Sequence, residues 1–204
     1  ITSEEQLRFA QRFGELEIHP FLPPNTETPE LVRFEKNANA AGYENQWHHD
    51  VTWRETPSQG AILRAIEIPP IGGDTLFVDA NAAYEGLTQE MKDKIDSLNA
   101  VHDFLRAFGR QVPKEKLAEM REMYPLVKHP VVINHHQTGK PLLYVNRIFV
   151  NGIEGYEEKE GFELIDALCR EFEVLEYSCR FKWEKNSIAF WDNQAVQHLS
   201  LIHI

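Results

Sequence analysis

Apolar residues fall at helical spacing in a few stretches of this chain and cluster in short alternating runs elsewhere. Residues 158–173 (EKEGFELIDALCREFE) carry the strongest helical pattern, with Phe162, Ile165, Leu168, Cys169 and Phe172 on one side. Residues 1–16 (ITSEEQLRFAQRFGEL) predict a second helix, with Ser3 as N-cap, Gln6 closing a capping box, and Leu7, Phe9, Ala10 and Phe13 as its apolar stripe. AAYEGL, TQEMKDKIDSL behind a Thr88 cap, and KEKLAEMREMY (114–124) after Pro113 predict shorter helices.

The remaining apolar runs read as strands. They are LEI (16–18), LVRFEK (31–36), AILRAIEI (61–68), TLFVDA (75–80), YSCRFKWE (177–184) and SIAFWD (187–192). HPVVIN (129–134) and KPLLYVN (140–146) predict a hairpin whose turn is supplied by Gly139. Many short strands with a few inserted helices favour a sandwich or jelly roll over a parallel sheet wound with helices. GGD, lying between two strands, opens no helix, so neither a phosphate loop nor a dinucleotide fingerprint is present.

The chain of 204 residues is long enough for one domain, and no run approaches the roughly 20 apolar residues that cross a bilayer. A net charge of −11 opposes a nucleic-acid partner, which would need a clustered basic face. No membrane partner is expected either, and self-association into a homo-oligomer is left open. Cys169 and Cys179 are too few for a disulfide framework. Cys169 reads as a buried thiol, and low cysteine use fits a reducing cytoplasm.

The stretch NQWHHDVTW (45–53) holds the candidate chemistry. On an extended backbone, residues two apart share a face while neighbours oppose. His48 and Asp50 can therefore converge on one ion, and His49 is turned behind the site or to the surface. A third ligand has to come from a distant strand, and His198 in FWDNQAVQHLS is the candidate. Two imidazoles and a carboxylate on one face, with the other face open, are the ligand set of non-haem Fe(II) oxygenases. His129, His135, His136 and His203 read as surface or satisfied core residues.

The surrounding residues resemble a known family. WHHDVTWRETPSQGAILRAIEIPPIGGDTLFVDANAAYEGL, followed by VHDF, HPVV, LYVN and WDNQAVQH, is similar to the taurine dioxygenase/TfdA family of Fe(II)- and 2-oxoglutarate-dependent dioxygenases. The resemblance covers nearly the whole chain. It implies a mainly β fold with inserted helices, a double-stranded β-helix (jelly roll) of the clavaminate synthase-like kind, as a single domain over 1–204. It implies Fe(II) bound by His48, Asp50 and His198, with 2-oxoglutarate as co-substrate and dioxygen as reactant. Thr75 of GGDT then matches the threonine that bonds the distal carboxylate of 2-oxoglutarate.

On the substrate side, His19 matches a histidine that contacts a sulfonate, and Val51 and Phe108 match residues lining that pocket. Where taurine dioxygenase holds an amine with tyrosine and asparagine, this chain places Leu22 and Glu44. Glu44 could pair with an amine, but the change opens the pocket to another sulfonate, a sulfate ester or a carboxylate. The family also carries arginine roughly a dozen residues past the distal histidine, where it clamps 2-oxoglutarate. Only LSLIHI follows His198, so the chain is expected to be a piece lacking both ends of the domain. On the residues alone two further readings stay open: a binding-only or inactive piece without that arginine, and a cupin-like metalloenzyme that does not use 2-oxoglutarate.

Overall fold

The computed structural model describes residues 1–19, 27–35 and 45–201. Among the described residues, ten short strands pair in antiparallel fashion into four small sheets, with six α-helices set among them. The sheet that concerns function has the order β10-β2-β8, from Val196–Ser200, Thr75–Asp79 and Ser178–Phe181. Beside it β1 (Gly60–Arg64) pairs with β9 (Ile188–Asp192), Gly60 opposite Asp192. A second three-stranded sheet joins β4 (Val127–Pro130), β3 (Asn99–His102) and β7 (Val150–Ile153). The hairpin of β5 (Val132–Asn134) and β6 (Pro141–Leu143) completes the set.

The helices form where the sequence caps them. In α1 (Ser3–Ala10), Thr2 rather than Ser3 is the N-cap: its hydroxyl accepts from the Glu5 amide, and the Glu5 carboxylate accepts from the Thr2 amide. Gln6 is instead buried and donates to the Ile62 carbonyl, which ties α1 to β1. The helix stops at Ala10 rather than Leu16. Bonds to the third preceding carbonyl tighten residues 12 and 13, and Gly14 takes a φ of 149°, a region closed to other residues. Asp79 caps α2 (Ala80–Gly86) and Thr88 caps α3 (Gln89–Ile95) through side-chain oxygens. Asp103 caps α4 (Phe104–Phe108), and α5 (Leu117–Met123) follows a single 3-10 turn after Pro113.

The long helix α6 (Glu158–Cys169) continues as a 3-10 turn over Arg170–Glu173, which covers the span expected from its periodicity. Its apolar side, through Leu164, Ile165, Leu168, Cys169 and Phe172, buries against β6, β7 and α2 in the main core. Burying each large side chain contributes about 1.5–3 kcal/mol. Gly161 lets the helix approach β7, since a Cβ there would sit 3.3 Å from the Ile153 nitrogen. Burial pushes the Cys169 thiol up to about 12, so the reading of an inert core thiol holds. Gly139 supplies the hairpin turn at φ 69°.

Several strand expectations fail or shorten: of 61–68 only the part to Arg64 is strand, of 140–146 only Pro141–Leu143, and of 177–184 only Ser178–Phe181. Residues 16–18 and 31–35 form no strand. A strand is completed by ladder bonds, and the segment around Glu17 is held instead by side chains, through Arg54 at 2.6 Å and Ser58. The run 129–134 divides: up to Pro130 it pairs with β3, and only Val132–Asn134 enters the hairpin. No helix among the described residues is long and apolar enough to cross a membrane.

Candidate metal centre

His48 and His198 face each other as an isolated antiparallel bridge. The His48 amide donates to the His198 carbonyl at 3.2 Å, and the His198 amide returns the bond at 3.0 Å. Residues paired this way put their side chains on the same face. The two imidazoles accordingly lie with centroids 4.3 Å apart. β10 is fixed in turn by β2, where His198 stands opposite Phe77 and Ser200 opposite Thr75. The sheet register thus brings a histidine near the far end of the chain onto one near its start.

Asp50 completes the group. One carboxylate oxygen lies 3.5 Å from His48 Nε2 and 3.7 Å from His198 Nε2, and the three donor atoms lie within 4.8 Å of one another. The extended backbone assumed from sequence ends sooner than expected. Asp50 sits in a turn, and Val51 has φ 48°, a left-handed value that a β-branched residue rarely takes. Burial pushes the Asp50 carboxyl up. His198, and then His48 through a hydrogen bond and its charge, more than offset this and hold it well below the usual carboxylate range. Asp50 is therefore ionised at neutral pH.

The donor set fits a divalent ion. His48 Nδ1 lies 2.8 Å from the Gln46 carbonyl, which makes Nδ1 the protonated nitrogen and turns the Nε2 lone pair towards Asp50. An imidazole oriented by a backbone carbonyl is the usual arrangement behind a metal ligand. Cis ligands about 2.1 Å from an octahedral ion stand about 3 Å apart, so spacings of 3.5 and 3.7 Å need only a small closure.

His49 turns away from this face, as alternation predicts, but it does not reach the surface. It is fully buried beside Tyr144, with centroids 4.7 Å apart, and its Nδ1 lies 3.4 Å from Gln197 Nε2. Burial, reinforced by His48 and His198, pushes its pKa down to about 3. Gln197 also donates to the Val145 carbonyl at 2.6 Å. The residue after one histidine of the group and the residue before the other are thereby packed together behind it.

Thr75 opens β2 and is buried, and its hydroxyl accepts from the Trp183 indole at 2.9 Å. The hydroxyl proton is left to donate elsewhere. Val51 and Phe108 come together in one apolar cluster with Trp53, Phe104 and Phe149, directly beyond Asp50. His19 is half-buried. Burial lowers its pKa, Glu17 and Asp50 oppose that shift, and Arg54 adds to it, which places the imidazole within electrostatic reach of Asp50. Glu44, Leu22 and His203 lie outside the described residues. His129 bonds the carbonyls of Thr52 and Arg54, and His135 bonds Asp192, so both are satisfied away from the triad. His136 is exposed and bonds Gln59 and Gln194.

Sequence reasoning gave no role to Asn193, Gln197 or Trp183. The first two stand inside the quoted WDNQAVQH stretch, which was the signal available. Trp183 had none, because its bond to Thr75 is a long-range pairing.

A strand-rich fold with two histidines and a carboxylate on one face defines a class of metal-dependent β protein. Comparison narrows that class. Residues 1–200 match the family model described as "Taurine catabolism dioxygenase TauD, TfdA family", and the chain belongs to that family. It is 31% identical over 204 residues to an alkylsulfatase of Acinetobacter baylyi, covering 97% of this chain and 63% of that protein. It is 32% identical over 209 residues to an alpha-ketoglutarate-dependent sulfate ester dioxygenase of Pseudomonas putida, covering 98% and 68%. The crystal structure of a taurine dioxygenase from Burkholderia xenovorans superposes with a TM-score of 0.81 at 33% identity, covering 98% of this chain and 65% of that one. The chain thus spans about two thirds of the length of these relatives. The fold is the jelly roll expected from the sequence, divided here among four small sheets. The family is one of Fe(II)- and 2-oxoglutarate-dependent dioxygenases.

Proposed function

We propose that this chain carries the iron-binding part of a 2-oxoglutarate-dependent dioxygenase that oxidises a small anionic substrate, a sulfate ester or sulfonate in the first instance. The observation that carries the reading is the convergence of His48, Asp50 and His198, with three donor atoms within 4.8 Å, in a chain of this family. The names of the two relatives just described favour a sulfate ester, and an aryloxy or alkyl carboxylate is the next choice.

With dioxygen as the oxidant, bound Fe(II) and 2-oxoglutarate would supply the oxidation: one oxygen atom would enter a substrate C–H bond and the other would enter succinate as 2-oxoglutarate loses carbon dioxide. His48, Asp50 and His198 would hold the ion. Thr75 donates its hydroxyl proton to the distal carboxylate of 2-oxoglutarate, while Trp183 fixes the oxygen that carries it. Val51 and Phe108, backed by Trp53 and Phe149, form an apolar wall that excludes water. A neutral His19 offers an N–H to the substrate anion, in keeping with its lowered pKa. Glu44 stays in this reading only for a substrate that carries an amine besides its anionic group, with which it would pair. The free cysteines and the acidic charge favour the cytoplasm and a small-molecule partner over nucleic acid or membrane.

The test is anaerobic addition of Fe(II) and 2-oxoglutarate, read by the visible charge-transfer band of the chelate, followed by succinate release with an alkyl sulfate in air. The band is expected with the parent chain and lost in Asp50→Ala. A band that survives in Asp50→Ala, or a folded parent that gives none, would overturn the assignment.

A further inference from the structure

We propose that Asn193 is a positioning residue that sets the Asp50 carboxylate by gripping the Asp50 peptide on both sides. Asn193 lies in the turn between β9 and β10 and is almost fully buried. Its Oδ1 accepts from the Asp50 amide at 2.7 Å, and its Nδ2 donates to the Asp50 carbonyl at 2.9 Å. The second Nδ2 hydrogen goes to the Ser58 carbonyl at 2.9 Å, and the Asn193 main-chain amide goes to the Gln59 carbonyl at 2.8 Å. Both hydrogens of the side-chain amide are used, and its oxygen is used as well. An aspartate would keep the acceptor but lose both donors, and a serine could not reach both groups.

What is gripped is the residue before the left-handed Val51. A β-branched residue at φ 48° persists only where its surroundings over-determine it. Asn193 fixes both peptide groups of the preceding residue, so the chain reverses immediately after Asp50. The Asp50 carboxylate is thereby brought onto the face that His48 occupies. The clamp is itself rigid: the neighbouring Asp192 caps the amides of Gln194 and Ala195 and bonds His135 at 3.0 Å. The same turn leads directly into β10 and His198. One buried side chain therefore couples two of the three candidate ligands.

The inference rests on the metal reading above, and it is tested with Co(II) alone rather than with the complete reaction. Co(II) affinity and the visible d–d spectrum are measured for the parent, Asn193→Ala, Asn193→Asp and Thr88→Ala, with urea unfolding of each metal-free protein alongside. Asn193→Ala is expected to weaken Co(II) by about ten- to a hundredfold, the range for residues that orient metal ligands, and to change the spectrum. Thr88→Ala removes the N-cap of α3 and touches neither this turn nor the three candidate ligands. It is expected to lose stability and to bind Co(II) as the parent does. Asn193→Asp keeps the side-chain shape and decides the matter if the alanine variant does not fold. Its added negative charge alone would tighten a cation, yet weaker binding is expected. Folded Asn193 variants that bind Co(II) as tightly as the parent would overturn the clamp and leave the metal centre standing, as would affinity losses that merely follow stability across all three variants. A parent that takes no Co(II) would remove the metal centre and the clamp with it.

Discussion

Replacing Thr75 with valine separates the hydrogen bond seen at its hydroxyl from the 2-oxoglutarate role proposed for it. The Thr75 oxygen is the acceptor for the Trp183 indole at 2.9 Å, and the two residues are only 7% and 6% exposed. Trp183 packs among Ala65, Ala189 and Phe181, none of whose side chains can accept a hydrogen bond. Thr75→Val therefore strands a buried indole N–H, at a cost of about 1–3 kcal/mol beyond any change in packing. Trp183→Phe removes the donor first. In that background Thr75→Val has little left to strand, and its cost is expected to fall towards zero. Urea unfolding of the four proteins, with slopes checked for constancy, gives the coupling directly. On the proposed role of Thr75, affinity for 2-oxoglutarate is expected to behave differently and to stay weak in Thr75→Val and in the double variant, because both lack the proposed donor to the distal carboxylate. An equal stability cost in both backgrounds would refute the hydrogen-bond argument. Restored 2-oxoglutarate affinity in the double variant would refute the ligand role.

Other perturbations follow from the same geometry. Arg121 holds the buried Asp103 carboxylate with two bonds of 2.8 Å, although its own side chain is 39% exposed. After discounting for that exposure, Arg121→Ala should cost about 1–3 kcal/mol in denaturant unfolding, and Arg121→Lys should recover only part of it. Stability should also fall with acid in two windows. Burial lowers the pKa of His102, with His129 and His49 adding to it, and burial likewise lowers that of His129, so the folded state refuses protons that the unfolded histidines take. Their contribution is whole above the ordinary imidazole value of 6.5 and is lost below it, by up to about 1.4 kcal/mol per pH unit for each. The depressed carboxyls of Asp50 and Asp192 add their loss only below 3.8. Unfolding midpoints at pH 7.5, 6.0 and 5.0 check this, and a flat profile would contradict it.

Much of the architecture was legible where the signal is local. The apolar side of α6, the Gly139 turn and the Thr88 cap all depend on residues within a few positions of one another. So did the choice of His48 over His49, which needs only the alternation of an extended chain. β3, β7 and α4 were not legible, because four- and five-residue elements carry too little periodicity. Their identity comes from partners far along the chain, as with Ala100 opposite both His129 and Ile153. The turn at Asp50 was hidden for the same reason: nothing in HHDVT announces a left-handed valine, which is imposed by an asparagine at the other end of the domain.

The pairing of His48 with His198 also has a consequence for biosynthesis. Ribosomes add about 5–20 residues per second, so the His48–Asp50 pair emerges roughly 7–30 seconds before the strand that supplies His198. During that interval a nascent chain presents two donors, which any passing divalent ion could occupy weakly. Selection of the metal is deferred until β10 adds to the edge of β2. On the proposed ligand set, the ion present at that moment would tie residues 48–50 to His198.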